Sequence, residues 1–315
     1  MNLHLDHDSF KGIMLRVSNE QNIRADILEK DYYVTLLLYE LSKKQCEIKA
    51  YFKGGTALYK ALRSIKRFSE DIDLTVYIED CASNNQSKKR LEVAVKGYTS
   101  MDYLPDDVGN ENHKGAVTAV YGYQSQFSID EDDALQRFGK VKVEGTSFTV
   151  SEPIEKFVIS PLIYDMATEQ EREILEKQFE VKSFLIDTIK LERIFADKVF
   201  ATEFYYTRGM YFDTAKHIYD LIILYNLPQI QNMLKDKELF HRMTEYKRKE
   251  ELVRKGGIDS TIKIGEFKYL HFAMENEEFK SEYEKMQNIY IFDEHDKLEL
   301  KNATDVFDAL KEIDF

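Results

Sequence analysis

Residues 52–80, FKGGTALYKALRSIKRFSEDIDLTVYIED, place a glycine turn and a pair of strand carboxylates within one short stretch. IKAYFKGG (48–55) predicts a short strand that ends in glycines, and TALYKALRSI (56–65) predicts an amphipathic helix. DIDLTVYI (71–78) alternates with period two and predicts a second strand. Each part is common alone, so it is the order strand, Gly-Gly-Thr, helix and Asp-x-Asp strand that constrains the fold.

The two aspartates of the second strand share one face. Residues i and i+2 of a strand point the same way, so Asp71 and Asp73 lie on one side while Ile72, Leu74 and Val76 face the core. Two ionised carboxylates on one face repel each other, and a divalent cation removes that cost. Mg²⁺ prefers one or two carboxylates plus substrate phosphates, and two such ions can clamp a phosphoryl group. The pair predicts a metal site for Mg²⁺, two ions or their Mn²⁺ equivalents.

The glycine turn offers the complementary half of a nucleotide site. Gly54 and Gly55 let the backbone approach a ligand closely, and Thr56 begins a helix whose free N–H groups favour phosphate. The combination predicts a nucleoside triphosphate (NTP) held between the turn and the metals. The alternative, from the residues alone, is a plain turn beside structural strand carboxylates.

The middle of the chain predicts more sheet. Residues 79–90 have the composition of a polar loop, while AVTAVYGYQSQFSI (116–129) and GKVKVEGTSFTV (139–150) alternate as paired strands do. Residues 8–45 show apolar side chains at helical spacing.

From about residue 165 onward the pattern predicts helices. The strongest are LERIFADKVFATEFYY (191–206) and DTAKHIYDLIILYNL (213–227), the second with Asp213 as its N-cap. The predicted fold class is α+β: a small mixed β-sheet core with flanking helices and a mostly helical C-terminal half.

Charge and cysteine content limit the classes of function. The net charge of -13 argues against a general nucleic-acid coat protein, although lysines and arginines cluster at 87–90, 246–250 and 253–257. Cys46 and Cys81 have no metal or redox spacing and fit free thiols in a reducing cytoplasm. The sequence has no signal-peptide pattern and no apolar run of membrane-helix length, so we expect a cytoplasmic protein without a membrane role.

Several separated motifs resemble one family. KGGTAL (53–58) and KRFSEDIDL (66–74) resemble the AbiEii-type nucleotidyltransferase toxins of the polymerase-β-like nucleotidyltransferase superfamily. The fourteen residues between Thr56 and Asp71 exceed slightly the spacing of the most compact superfamily members. Further matches follow at ADKVFA and AKHIYDL, and EKDYY (29–33) resembles the opening helix of the family. The resemblance covers about residues 20–230, and 231–315 match no pattern that we recognise.

The resemblance implies a domain division and several site residues. It implies a nucleotidyltransferase core with N-terminal helices over 1–160 and a helical domain over 161–315, with a variable extension from about 230. It implies that Ser69 and Arg67 join the glycine turn in binding the nucleotide, that Lys198 binds its phosphates and that Asp220 completes the active site. Thr56 and Ser69 could instead cap local structure, and Arg67 could form a surface salt bridge.

The positions of Lys198 and Asp220 in their predicted helices also allow an interpretation that does not depend on the resemblance. Lys198 lies within the apolar stripe of its predicted helix, where an unpaired lysine is costly, and Asp220 lies in an equally apolar helix. A structural ion pair between the two helices is therefore the alternative to a catalytic role. His217 is a candidate contact to base or ribose, with a packed helix histidine as the alternative.

A third carboxylate is usual in the superfamily. Glu144, two residues from Lys142 on the same predicted strand face, is the candidate third metal ligand or base, and Asp130 is the weaker choice because it lies in an acidic turn.

The function implied by the resemblance is metal-dependent transfer of NMP from an NTP to an RNA acceptor. The family suggests the tRNA 3′ end as acceptor and a toxic outcome held in check by a cognate antitoxin. RNA contacts would be local, on helices such as 246–255. The alternatives are a kinase-like or autophosphorylating enzyme and a catalytically inactive nucleotide- or antitoxin-binding module. The kinase alternative lacks support from a Walker A, H-R-D or D-F-G motif.

Overall fold

The computed structural model describes residues 1–63, 66–127, 139–149, 151–253 and 256–313. The chain divides into two compact units. The first comprises Met1–Ser147 and Ile154–Thr188, and the second comprises Phe148–Pro153 and Ile189–Phe315. This packing division falls near residue 188, and the functional boundary near residue 160 stays a prediction.

The first unit holds the sheet and its helices. In chain order its elements are α1 (His7–Gln21), α2 (Ala25–Ile48), β1 (Ala50–Lys53), α3 (Gly54–Leu62), β2 (Ile72–Val76), α4 (Asn84–Lys96), β3 (Asp102–Tyr103), β4 (Glu111–His113), β5 (Ala116–Gly122), β6 (Lys140–Thr146), β7 (Ile154–Ile159), α5 (Leu162–Asp165), α6 (Glu169–Phe179) and β8 (Phe184–Ile189). The strands form one mixed sheet in the order β3-β5-β6-β2-β1-β8-β7, with β4 paired to β5. The predicted α+β class with a mixed sheet is confirmed.

The two central strands carry the sequence motif. β2 is antiparallel to β1, with Lys53 opposite Asp73, and parallel to β6, with Asp73 opposite Glu144. Ile72, Leu74 and Val76 are fully buried, as the alternation predicts. The motif face of β2 therefore lies between Lys53 on one side and Glu144 on the other.

The predicted order of strand, glycines and helix is confirmed, and so are the paired strands, but the strands are shorter than predicted. β1 ends at Lys53 and the helix begins at Gly54 rather than Thr56, so both glycines belong to the first turn of α3. β5 pairs antiparallel with β6, as predicted, but the two strands end at Gly122 and Thr146. Residues 128–138, which include Asp130, lie outside the described residues.

Two sequence predictions in this unit are wrong. Residues 84–96 form helix α4 rather than a loop, because Ser83 caps its first turn by accepting a hydrogen bond from the Gln86 N–H, and its apolar side chains Leu91, Ala94 and Val95 are buried. The chain also does not become helical at 165, since β8 intervenes. This strand was missed because six residues between two helices give little periodic signal.

Three consecutive charged residues of α2 join the helix to three separate parts of the unit. Glu29 accepts hydrogen bonds from the Ser125 hydroxyl and from the Gln126 N–H at 2.8 Å. Lys30 contacts Glu70 at 3.4 Å and donates to the Lys140 carbonyl oxygen. Asp31 contacts Lys60 of α3.

Asp31 fixes helix α3, which carries the glycine turn. Its carboxylate lies 2.6 Å from the Lys60 ammonium and accepts the Leu162 N–H at 2.8 Å. Lys60 also donates to the Thr35 hydroxyl at 2.7 Å and to the Ser160 carbonyl oxygen at 3.1 Å. Burial raises the pKa of Asp31, although Lys60 and the Leu162 N–H oppose that shift.

The second unit is helical apart from its connections. Its helices are α7 (Leu191–Tyr206), α8 (Tyr211–Tyr225), α9 (Pro228–Lys235), α10 (Lys237–Val253), α11 (Lys268–Phe272), α12 (Glu277–Tyr290) and α13 (Thr304–Lys311). α7 has the bounds that its apolar periodicity predicted. Asp213 lies in the first turn of α8 and is not its N-cap, which is Met210, and Pro228 opens α9.

Two cations of the basic run on α10, Lys247 and Arg248, are engaged by other groups of the second unit, while Lys249 is exposed. Lys247 lies 3.0 Å from Glu251 and 3.2 Å from Glu250, whose carboxylate also pairs with the buried Arg193 at 2.5 Å. Arg248 donates to the carbonyl oxygens of residues 260 and 262. The expected RNA surface at 246–255 therefore lacks two of its cations, while Arg254 and Lys255 lie outside the described residues.

Across the described ranges, the helices include none whose length and apolar content would suit a membrane span.

Glu29 is predicted to make stability depend on pH. Burial raises its pKa from 4.5 to about 7, against the opposing hydrogen bonds from Gln126 and Ser125. Between these values the folded protein keeps a proton that the unfolded chain loses. The unfolding free energy should therefore fall by roughly 2–3 kcal/mol as pH rises from about 4.5 to 7. Glu29→Gln should remove this part of the pH dependence in urea unfolding measured from pH 5 to 8.

The exposed Glu47 of the same helix provides the matched control. Glu47→Gln should keep the slope of wild type. Equal slopes for wild type and Glu29→Gln would contradict the prediction.

Candidate active site

The glycine turn packs directly against the Asp-x-Asp strand. Gly54 has φ of 82°, and a Cβ added there would lie 2.2 Å from an Asp73 carboxylate oxygen. A Cβ at Gly55 would lie 2.8 Å from the Ser69 hydroxyl and 3.0 Å from the Arg67 guanidinium. Both positions thus need glycine for close approach, and the first also needs it for the left-handed backbone conformation.

Thr56, Ser69 and Arg67 form the wall behind this turn. The Thr56 hydroxyl donates to the Ser69 hydroxyl at 3.0 Å, so the two predicted phosphate contacts are neighbours. Arg67 is only 4% exposed, donates to the Phe68 carbonyl oxygen at 3.1 Å and has its guanidinium 5.6 Å from the Tyr59 ring centre. The alternative of a surface salt bridge for Arg67 is therefore wrong.

A small cavity borders the same wall. It is lined by Thr56, Ser69, Arg67 and Lys60 among others and measures about 30 Å³. That volume admits a water molecule or two, not a nucleoside. A nucleotide at the glycine turn would have to lie on its open side, where the carboxylates are half-exposed.

Three carboxylates lie on the motif face of the sheet with a lysine among them. Lys142 on β6 lies 3.5 Å from Asp71 and 2.5 Å from Glu144. Burial works against its charged form, but Asp71, Glu144 and Asp73 outweigh that effect and raise the pKa of Lys142. The predicted shared face of Lys142 and Glu144 is confirmed, and sequence reasoning did not anticipate that Lys142 would also reach Asp71.

The donor set fits a hard divalent cation that keeps some ligands from substrate. Within the described part of the chain, no three Asp, Glu, His or Cys side chains converge as a preformed metal site. Mg²⁺ does not need one, because it is bound by one or two carboxylates plus substrate phosphates. Asp71 and Asp73 supply that number beside a glycine turn, and the ammonium of Lys142 already stands in as a cation against Asp71 and Glu144.

The second unit brings Lys198 and Asp220 together. The Lys198 ammonium lies 2.7 Å from the Asp220 carboxylate, with side chains 8% and 0% exposed. His217 places its Nδ1 3.3 Å from the same ammonium, and its ring stacks on Tyr205 at 5.2 Å. This is the ion pair between helices that the residues alone allowed, and it gives the buried lysine the partner that it requires.

Asp197, the neighbour of Lys198, contacts a different group of charged residues. It lies 3.0 Å from Arg193, which is 1% exposed and also pairs with Glu250 of α10. The Asp-Lys pair of α7 thus divides its charges between two networks, one on α8 and one on α10. The sequence did not reveal this division, because Asp220 and Glu250 lie about twenty and fifty residues away along the chain, although Arg193 is one helical turn from Asp197.

The sequence model of one family, described as "Nucleotidyl transferase AbiEii toxin, Type IV TA system", matches residues 36–312. A solved structure titled "Crystal structure of putative nucleotidyltransferase from H. pylori" is similar at 16% identity with a TM-score of 0.27, covering 71% of this chain and 97% of that one. No curated protein matches the chain.

The family match gives the class of protein, the nucleotidyltransferase toxins of type IV toxin–antitoxin systems. The chain belongs to the AbiEii nucleotidyltransferase toxin family. The matched range corrects the sequence analysis at both ends. It includes residues 231–312, which had matched no recognised pattern, and it begins after the EKDYY segment.

Gly54→Ala is predicted to disturb the position of Asp73. The new methyl group collides with the carboxylate and forces alanine into a left-handed conformation, so the unfolding free energy should fall by about 1–3 kcal/mol from the backbone alone and further from the collision. Gly209→Ala is the matched control, since Gly209 has φ of 69° with nothing within 4 Å of an added Cβ. Equal losses for the two variants in urea unfolding would show that contact with Asp73 contributes nothing.

A double-mutant cycle tests the Lys198–Asp220 pair. Lys198→Met and Asp220→Asn each remove the counter-charge of a buried group and should each lower the unfolding free energy by about 3–5 kcal/mol. The double variant should lose clearly less than the sum, because no buried charge is left without its partner.

The exposed Glu173–Lys177 pair provides the control for this cycle. Lys177→Met should change the unfolding free energy by less than about 0.5 kcal/mol. Additive losses at Lys198 and Asp220 would contradict the assignment of a coupled pair.

Proposed function

We propose that this protein is a metal-dependent nucleotidyltransferase toxin that transfers NMP from an NTP to an RNA acceptor, with the 3′ end of tRNA as that acceptor. It acts in the cytoplasm and inhibits growth unless a cognate antitoxin neutralises it. Membership of a type IV toxin–antitoxin family supports the antitoxin and the nucleotide substrate. The acceptor, the metal and the cellular compartment are parts of the proposal.

The observation that carries the proposal is the contact between Gly54 and Asp73. A phosphate-binding turn and a candidate metal ligand that touch each other can share one triphosphate. A turn with only a structural role would not need the Asp73 carboxylate oxygen to lie where a Cβ of residue 54 would be. The same contact favours a nucleotide enzyme over an inactive binding module, because it leaves the carboxylate face of β2 half-exposed beside the turn.

Each residue of the first unit has a role in this proposal. The N–H groups of Gly54 and Gly55 and the hydroxyls of Thr56 and Ser69 bind phosphate oxygens, and Arg67 adds a guanidinium charge behind them. Asp71 and Asp73 hold Mg²⁺, with Glu144 as a third ligand or as the base. When bound, the metal neutralises charge on the phosphates and orients the attacking and leaving oxygens.

Lys198 and Asp220 are proposed to serve the same reaction. The Lys198 ammonium binds phosphate oxygens of the NTP, and its contact with Asp220 holds it in one orientation before substrate arrives. His217, which contacts the same ammonium, is a candidate contact to base or ribose.

The reaction is an in-line displacement at the α-phosphorus. The acceptor hydroxyl oxygen forms the new P–O bond as the bond to the β-phosphate bridging oxygen breaks. Pyrophosphate departs with that electron pair, and the hydroxyl proton passes to a carboxylate, for which Glu144 is the candidate. Catalysis comes from positioning and from charge stabilisation, since the protein forms no covalent bond.

The decisive experiment measures the transfer of a radioactive label from an NTP to RNA. Purified protein with Mg²⁺, total tRNA and each α-³²P-labelled NTP in turn should label RNA with one or more nucleotides. Asp71→Asn should reduce the rate by at least about a hundredfold, because loss of a charge at the metal costs several kcal/mol of transition-state stabilisation. Asp106→Asn, at an exposed acid of the same unit, is the control and should retain the wild-type rate.

The alternatives predict different products. Label in protein from γ-³²P-NTP, with none in RNA, would replace the proposal by a kinase-like or autophosphorylating activity. No label in either would leave a binding module, and equal label in RNA with wild type and Asp71→Asn would contradict the proposed reaction at this site. Metal removal with EDTA should abolish labelling and Mn²⁺ should restore it.

A further inference from the structure

The proposed reaction gives no role to the charge of Lys142, which lies among the carboxylates of the motif face. Its ammonium bridges the two strands of the site, with Asp71 of the motif on one side at 3.5 Å and Glu144 on the other at 2.5 Å. The register explains this position: Asp73 lies opposite Glu144, and Lys142 precedes Glu144 by two residues on the same face. The lysine therefore occupies the place among the carboxylates where a metal ion would be expected.

The ion pairs of Lys142 differ from ordinary surface ion pairs because they are only partly exposed to water. Asp71, Lys142 and Glu144 are each between 35% and 39% exposed, so water screens them only in part. Three carboxylates on one sheet face repel one another, and a single ammonium relieves that repulsion. A divalent ion would relieve it more strongly, and it would repel an ammonium held on the same carboxylates.

We propose that Lys142 is the resting counter-ion of the Asp71, Asp73 and Glu144 cluster and that it competes with the metal ion for these carboxylates. The metal enters by displacing the ammonium, which stays tethered beside the site on β6. Lys142 thus sets the metal affinity of the free enzyme and stabilises the cluster while no metal is bound. This inference rests on the proposed function, because it takes the cluster to be the metal site.

The test measures metal binding itself, without nucleotide or RNA. Mn²⁺ is titrated into the full-length protein and followed by electron paramagnetic resonance and calorimetry. Lys142→Gln should bind Mn²⁺ roughly tenfold more tightly than wild type, a coupling of ordinary size for two sites in competition. Lys142→Arg keeps the positive charge and should bind as wild type does.

Lys140 provides the matched control on the same strand. It lies two residues earlier, and its ammonium pairs with Asp107 rather than with the cluster. Lys140→Gln removes the same charge from the protein and should leave Mn²⁺ affinity within about twofold of wild type, because it displaces nothing from the carboxylates.

Thermal unfolding in EDTA and in excess Mn²⁺ supplies a second readout and shows that the variants fold. Lys142→Gln should melt below wild type in EDTA, and Mn²⁺ should raise its melting temperature by more than it raises that of wild type. A purely structural lysine would lower both melting temperatures and leave Mn²⁺ affinity unchanged.

The outcomes separate this inference from the proposed function. If Lys142→Gln binds Mn²⁺ no more tightly than wild type while Asp71→Asn loses binding, competition by Lys142 is wrong and the metal centre stands. If Mn²⁺ binds neither wild type nor Lys142→Gln at millimolar concentration, the inference is wrong, while the proposed function, in which substrate phosphates complete the metal site, is tested separately by the labelling of RNA. Tighter binding by Lys142→Gln that Asp71→Asn abolishes in the same background supports both.

Discussion

The ion pair between Asp31 and Lys60 is the constraint on which the candidate site depends. Lys60 lies on α3, the helix whose first turn contains both glycines, and Asp31 lies on the buried helix α2. Burying two charges costs free energy that their attraction repays only with good geometry and further hydrogen bonds, and here Thr35, Ser160 and Leu162 supply those bonds. The pair can therefore hold α3 in one position, and with it the approach of Gly54 to Asp73.

The residue before Asp31 on α2 anchors another part of the site in the same way. Lys30 contacts Glu70, the residue before Asp71, so the start of the motif strand is anchored to the same helix turn that anchors the glycine turn. A helix segment that is largely buried, as 26–38 is, can direct consecutive side chains to different elements, because successive residues point about 100° apart. The EKD segment is thus explained by its contacts within the first unit, whatever its role in the family.

The sequence was informative where one local pattern decided the structure. The alternation of β2 predicted the burial of Ile72, Leu74 and Val76, although Thr75 on the opposite face is buried as well. The apolar periodicity of α7 predicted both of its ends. It failed at α4, whose polar surface resembles a loop, and at β8, which is short. It could not reveal the partners of Lys142, Asp197 or Arg67, since a charged side chain on a strand or helix face is compatible with water, a salt bridge or a ligand until the facing element is known.

The sequence alone also leaves two interpretations of Lys198 and Asp220 open, a structural ion pair and a catalytic role. Their contact satisfies the structural alternative, yet a buried ion pair is a poor device for stability, because apolar residues of similar size often serve as well or better. Lys198 also keeps His217 beside its ammonium rather than enclosing the charge with carboxylates alone. The Arg193, Glu250 and Lys247 network in the same unit encloses its charges among carboxylates and cations of the interior. That contrast with the Arg193 network favours a functional use for the Lys198 pair, since its ammonium lies beside the imidazole of His217, which stacks on Tyr205.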